Sequence, residues 1–140
     1  MAPVENLAQE RRTIGAFVSH VGRALSLEFM AGITAAAEEH NLNLICFVGG
    51  KPTPIITPGH IQSSYGLYDL ARTEQLAGII VSSDLGYEIS ANEAKQFIEN
   101  YSHIPIVANA LQVDGVPNLI GDNLGGMRAA IANLIDEHGY

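Results

Sequence analysis

Four short, almost uninterrupted apolar runs set the fold of this chain. They are TIGAFVS (Thr13 to Ser19), LNLICFV (Leu42 to Val48), AGIIVS (Ala77 to Ser82) and IPIVA (Ile104 to Ala108). A strand with one face in water alternates apolar and polar residues, and these do not alternate. Both of their faces must therefore be covered, which is the signature of a parallel sheet between two layers of helices. A fifth, shorter run, Asn118 to Gly121, follows. Crossovers are expected to be right-handed, and the order 2-1-3-4-5 is predicted because two changes of direction are not needed to place all ligand-side loops on one edge. The expected fold class is a three-layer α/β/α lobe with a parallel sheet, flavodoxin-like in topology.

The segments between the runs carry helical signals. Ser26 to about His40 reads as a helix capped by Ser26, with Met30, Ile33 and Ala37 on its inner face. Ser63 to Thr73 reads as a second, turning Leu67, Leu70 and Ala71 inward. The third is the best marked. Ser90 caps it, Glu93 completes a capping box, Ile89 staples onto Ala94, and Phe97, Ile98 and Tyr101 form its apolar side. The fourth follows Asp122-Asn123 and stops at Gly139, with Leu124, Met127, Ile131, Leu134 and Ile135 spaced three or four apart on one face. Asp122 or Asn123 suits its amino cap, and Gly139 the left-handed position beyond its carboxyl end. The connection from Gly49 to Gln62, GGKPTPIITPGHIQ, holds three prolines and three glycines and cannot be helical for most of its length. Connections this long and irregular are uncommon unless they serve a function.

Composition narrows the function classes. The 140 residues are 47% hydrophobic and only 16% charged, with a net charge of −8. That excludes a disordered chain. It argues against a nucleic-acid surface, which needs a basic stripe to displace counterions. So low a charged content also suggests that part of the surface is normally covered. The single cysteine, Cys46, reads as a buried strand residue and allows no internal disulfide. Residues 1–12 form a polar tail with no signal-peptide character, and no apolar run approaches a membrane span. A cytoplasmic setting with no membrane contact is expected.

Candidate chemistry follows from the fold. In an open parallel sheet, ligands bind beyond the carboxyl ends of the strands, where strand order reverses. The residues placed there are Ser19, His20, Gly22 and Arg23 after the first strand, Gly49, Gly50 and Lys51 after the second, Ser82, Ser83 and Asp84 after the third, Asn109 after the fourth and Asp122 and Asn123 after the fifth. Hydroxyls, amides and a few charges suit hydrogen bonding to a polar small molecule. Each also has a purely architectural use: Asp84 in a turn with Gly86, Asn109 in ordering a turn, Asp122 as a helix cap. Enzyme motifs are missing. There is no GxGxxG after the first strand, no P-loop, no HExxH and no GxSxG elbow. No catalytic residue, metal or cofactor is expected. The competing reading is a receiver-like or flavodoxin-like domain with phosphotransfer or flavin chemistry. A receiver needs an acidic pair after the first strand, where this chain has Ser19-His20, and a lysine after the fifth, where it has Gly121-Asp122.

Taken together, TIGAFVSHVGRALSLEFMAGITAAAEEHNLNLICF, QLAGIIVSS, IPIVANA and GDNLGGMRAAIANLIDEHGY resemble, in order and spacing, the ligand-binding domains of the LacI/GalR type, members of the periplasmic-binding-protein type I superfamily. The resemblance implies that residues 13–122 form the first of two lobes and that 123–140 begin the second with a helix after the hinge. It implies a small-molecule effector, such as a sugar, held between the lobes by residues that include His20, Arg23, Ser82, Ser83 and Asp122. It also implies a homodimer and a role in a transcriptional regulator or in a LacI-like sensor fused to a signalling output. Many members carry an Asp after the fourth strand that binds sugar hydroxyls, where this chain reads Asn109-Ala110. Twelve residues before the first strand leave no room for the family's helix-turn-helix, so this chain is expected to make no direct nucleic-acid contact.

Overall fold

A computed structural model describes residues 11–54 and 65–139. Five strands, β1 (Thr13–Val18), β2 (Asn43–Val48), β3 (Leu76–Val81), β4 (Ile106–Asn109) and β5 (Asn118–Leu119), form one parallel sheet in the order β2-β1-β3-β4-β5. This is the predicted order. The helices are α1 (Ala24–Glu39), α2 (Ser83–Gly86), α3 (Ala91–Glu99) and α4 (Asn123–Asp136), with a 3₁₀ helix over Gly66–Arg72. The chain steps from β1 to β2 in one direction and then from β2 past β1 to β3 in the other. With right-handed crossovers, that reversal places α1 on one face and the 3₁₀ helix and α3 on the opposite face. The result is a three-layer α/β/α, flavodoxin-like fold.

The core lies mainly on the second face. Phe17, Phe47, Ile79, Val81 and Ala108 point into it from the strands, and Tyr65, Tyr68, Leu85, Phe97 and Tyr101 meet them from above. Phe17 sits at its centre, 4.9 Å from the Tyr101 ring, 5.2 Å from Tyr68 and 5.6 Å from Phe97. These are tilted and edge-on contacts, the geometry that the ring quadrupole favours. Asp69 ties the layer together, accepting from the Tyr65 amide at 2.8 Å and from the Tyr101 hydroxyl at 3.3 Å. Burial, with the Asp69 charge adding to it, pushes the Tyr101 phenol well above its ordinary range.

Helix α3 forms as its signals predict. The Glu93 amide donates to Ser90 Oγ at 3.3 Å and the Ser90 amide to Glu93 Oε2 at 2.7 Å, closing the capping box. Ala94, Phe97, Ile98 and Tyr101 are buried. Asp122 caps α4 by accepting from the Gly125 amide at 2.8 Å, and Gly139 takes the left-handed conformation with φ 69°.

Several expectations are corrected. Helix α1 begins at Ala24, with Arg23 rather than Ser26 at its N-cap position, and Ser26 is buried inside its first turn. The second predicted helix is a 3₁₀ helix, and Ser63 and Ser64 lie outside the described residues. Its inward residues are Tyr68 and Ala71, while Leu67 and Leu70 are exposed. At three residues per turn, the face that a 3.6 period assigns to Leu67 and Leu70 rotates away from the sheet. Strand β4 starts two residues later than expected. Pro105 has no N–H to offer a ladder, although its carbonyl accepts from the Ile79 amide. Cys46 is only partly buried. It lies on the α1 face with Sγ 3.6 Å from Met30 Sδ, and burial raises its thiol pKa. Of the long Gly49–Gln62 connection, residues 55–62 lie outside the described residues.

Candidate functional site

The carboxyl ends of β1 and β3 meet where strand order reverses, between β1 and β3. Three elements converge there. β1 runs out into Ser19 and His20. β3 ends at Val81, and Ser82 turns the chain into the short helix α2 carrying Ser83, Asp84 and Leu85. From the far side of β1, the 3₁₀ helix sends Tyr68 under the β1 and β2 ends.

Asp84 is the centre of this arrangement. It is 5% exposed. Its Oδ2 accepts hydrogen bonds from the backbone amides of Ser19 and His20, each at 3.1 Å. One carboxylate oxygen thus holds the loop after β1 against the first turn of α2, across 65 residues of sequence. Its Oδ1 is buried and has no hydrogen-bond partner. A carboxylate oxygen in that position has unmet acceptor capacity. Next to it, His20 Nδ1 lies 2.9 Å from Ser19 Oγ and 3.3 Å from Glu88 Oε1. Glu88 lies four residues beyond Asp84, in the turn that follows α2. Tyr68 completes the floor. Its hydroxyl lies 3.0 Å from the Val18 carbonyl and 2.7 Å from the Gly50 carbonyl and donates to one at a time, joining the ends of β1 and β2. Burial, with the Asp84 and Glu88 charges adding to it, drives the Tyr68 phenol well above its ordinary range, so it stays neutral.

Gly49 has to be glycine for this floor to exist. A Cβ there would overlap the Tyr68 ring. Beyond β4, Ala110 holds a left-handed φ of 51°, an uncommon conformation for a residue with a Cβ. Ala110, Ser83, Tyr87 and Ser90 share a small depression of ≈ 220 Å³ along this edge.

The predicted site residues divide. His20, Ser82, Ser83 and Asp84 are brought together at the switch point. Arg23 is exposed at the start of α1. Asn109 lines a groove on the α1 face instead. Asp122 is occupied as the α4 cap. Ser19 joins the cluster from the loop after β1, as its place at the end of that strand predicts, and Glu88 and Tyr68 belong to it and were missed. The Asp84–Glu88 spacing carries a signal for Glu88. Tyr68 carries none, because nothing local marks a tyrosine whose hydroxyl will reach a strand end 50 residues away.

Chemically the cluster accepts and donates hydrogen bonds. Ser19, His20 and Glu88 do not form a nucleophilic triad. Serine and acid both face the same ring nitrogen, Nδ1, whereas a triad uses the two nitrogens separately. Asp84, buried and held by two amides, is not presented as a phosphoacceptor. Among the described residues no three His, Cys, Asp or Glu side chains converge on a possible metal position, and no helix is long and apolar enough to cross a membrane. Comparison of the chain with protein-family models, with curated proteins and with solved structures yields no match.

Proposed function

We propose that this chain is the first lobe of a LacI/GalR-like small-molecule sensor and not an enzyme. In this reading the effector, a sugar or another polar molecule, rests on the carboxyl edge of the sheet against His20, Ser82, Ser83 and Asp84, with Glu88 beside them. The observation that carries it is Asp84. A buried carboxylate stands at the switch point, one oxygen fixing the β1 loop and the other without a partner. It holds the β1 loop and His20 at the edge where open α/β sheets bind ligands, and a hydroxyl or ammonium donor from a ligand reaches its second oxygen only when that edge opens. By the resemblance, a second lobe supplies the remaining contacts and closure around the effector shifts the population of the sensor. Residues 123–140 begin that lobe, Arg23 and Asp122 take part at its border, and the output is a transcriptional regulator or a fused signalling domain. The chain works as a homodimer in the cytoplasm, without touching nucleic acid or membrane.

Amide chemical shifts of the isotope-labelled chain, titrated with a panel of neutral sugars, polyols, nucleosides and polyamines, test the reading. Weak, saturable shifts confined to His20, Ser83, Asp84 and Glu88, and lost in Asp84→Asn, are expected. Shifts that avoid this edge throughout the panel overturn the ligand site. Micromolar binding by the lobe alone overturns the claim that half of the contacts come from elsewhere.

A further inference from the structure

Among the described residues the Glu88 side chain has one hydrogen-bonding or ionic partner, the His20 ring. Both residues are held in place by their backbones. The Glu88 amide donates to the Leu85 carbonyl at 3.2 Å, and Leu85 is fully buried. The His20 amide donates to Asp84 Oδ2 at 3.1 Å, and Ser19 beside it is buried. The His20 ring turns one atom inward. Its Nδ1 lies 2.9 Å from Ser19 Oγ and 3.3 Å from Glu88 Oε1. Across the ring, Nε2 has no partner among the described residues, and the side chain is 44% exposed.

These distances decide which ring nitrogen carries the proton. A neutral imidazole has one N–H and one lone pair. A carboxylate only accepts, so a lone pair on Nδ1 would face the lone pairs of Glu88 Oε1 at 3.3 Å. A hydrogen on Nδ1 instead serves both neighbours, because the Ser19 hydroxyl accepts as readily as it donates. The bond made by one ring nitrogen sets the role of the other. Nε2 therefore keeps its lone pair and stands at the carboxyl edge as an acceptor. We propose that Glu88 is a positioning residue that fixes His20 in the Nδ1–H form, and that the effector meets Nε2 with a donor, hydroxyl or ammonium, and not with a carboxylate or phosphate oxygen. An anionic oxygen there would oppose a lone pair backed by the Glu88 and Asp84 carboxylates, and refusals of this kind confer specificity as much as attraction does. The cations of this edge, Arg23 and Lys51, are exposed, and among the described residues neither pairs with the cluster. The ligand class rests on the sensor reading above; the state of the ring does not.

Long-range nitrogen–proton correlation spectra of the isotope-labelled full chain, recorded above the ordinary histidine titration range, test the ring state without a ligand. The His20 signals are assigned by their loss in His20→Gln. The native chain is expected to show the Nδ1–H form. Glu88→Ala frees the Ser19 hydroxyl to donate to Nδ1 and moves the proton to Nε2, whereas Ser19→Ala leaves it on Nδ1. Near-ultraviolet circular dichroism of the buried tyrosines shows that each variant keeps the folded lobe. An Nε2–H form in the native chain, or an unchanged form in Glu88→Ala, overturns the proposal. Glucose, glucosamine and glucuronate then probe the ligand class. Shifts of the His20 ring are expected with the first two and absent with glucuronate, and Glu88→Ala weakens the response about tenfold. A response to glucuronate alone overturns the proposal. Silence with these probes and with the wider panel, while the ring is in the Nδ1–H form, removes the sensor reading and still supports the assignment of Glu88.

Discussion

The two faces of the sheet solve the burial problem differently. On the face covered by the 3₁₀ helix and α3, large rings interlock around Phe17, and Tyr68, Phe97 and Tyr101 are fully buried. On the α1 face the strands present Ala16, Val18, Cys46 and Ile80, a single helix lies over them, and Met30 and Ile33 are only partly buried. Dispersion and transfer free energy follow buried area, so most of the lobe's stability comes from the first face. The second face can therefore give and receive contacts with little cost to the fold. This division predicts a graded series of substitutions, steep on one face and shallow on the other.

The steepest is Phe97→Ala. Its ring touches Phe17, Tyr65, Tyr68 and Tyr101, and its loss leaves a cavity that none of them can fill alone. A destabilisation of about 3–5 kcal/mol is expected by urea denaturation. A cost under about 1 kcal/mol would place the core elsewhere.

Asp84→Ala ranks next, although no apolar contact explains it. Removing the carboxylate strands the Ser19 amide inside the protein and leaves the His20 amide partly covered, for about 2–3 kcal/mol. Asp84→Asn keeps an acceptor for the two amides and separates architecture from binding. It is expected to stay folded and to lose the ligand response. If Asp84→Ala is as stable as the native chain, the carboxylate is not what joins β1 to α2.

Gly49→Ala probes the floor from the other side. The added methyl overlaps the Tyr68 ring, which must move off the carbonyls it joins, at a cost of about 1–3 kcal/mol. Tyrosine fluorescence and denaturant midpoint should shift together. A shift in one without the other would break the proposed link between the loop and the aromatic face.

How much of this was legible in the sequence depends on whether the signal was local. The apolar runs gave the parallel sheet, and the preference for a single reversal of direction ordered it. Ser90 and Glu93 announced α3 because a capping box is closed within four residues. The 3₁₀ helix was misread because its period differs from the one assumed, and the error exchanged Tyr68 for Leu67 and Leu70. The switch-point rule located Asp84, His20, Ser82 and Ser83, but it could not say that Asp84 would bind backbone 65 residues away. It also over-collected. Asn109 follows a strand, yet it faces the α1 groove, because its parity within β4 sends its side chain to that face.

The capping box allows a smaller and cleaner test. Ser90→Ala should cost about 1 kcal/mol. The hydrogen bonds from the Ser90 amide and hydroxyl hold the Glu93 carboxyl below its ordinary pKa. A depressed carboxylate pKa contributes stability that is present above the unfolded-state value and lost as pH falls through the folded one. In Glu93→Gln the acid limb of stability between the ordinary glutamate range and more acidic pH should flatten. An unchanged limb would mean that the box is not formed in solution.

The smallest effect belongs to α4 and is the most diagnostic. Ile135→Ser removes an apolar side chain from a helix that buries nothing in the single chain. At concentrations where the chain is monomeric, its cost to the lobe should stay within about 0.5 kcal/mol, as for other surface changes. If the homodimer covers α4, association stabilises the folded state in proportion to the logarithm of protein concentration. The gap between native and variant should then widen as the protein is concentrated, while that for Phe97→Ala keeps a large part that concentration does not alter. A gap for Ile135→Ser already near that of Phe97→Ala in dilute solution would show that α4 packs on its own sheet and that the two faces are equal partners in the fold.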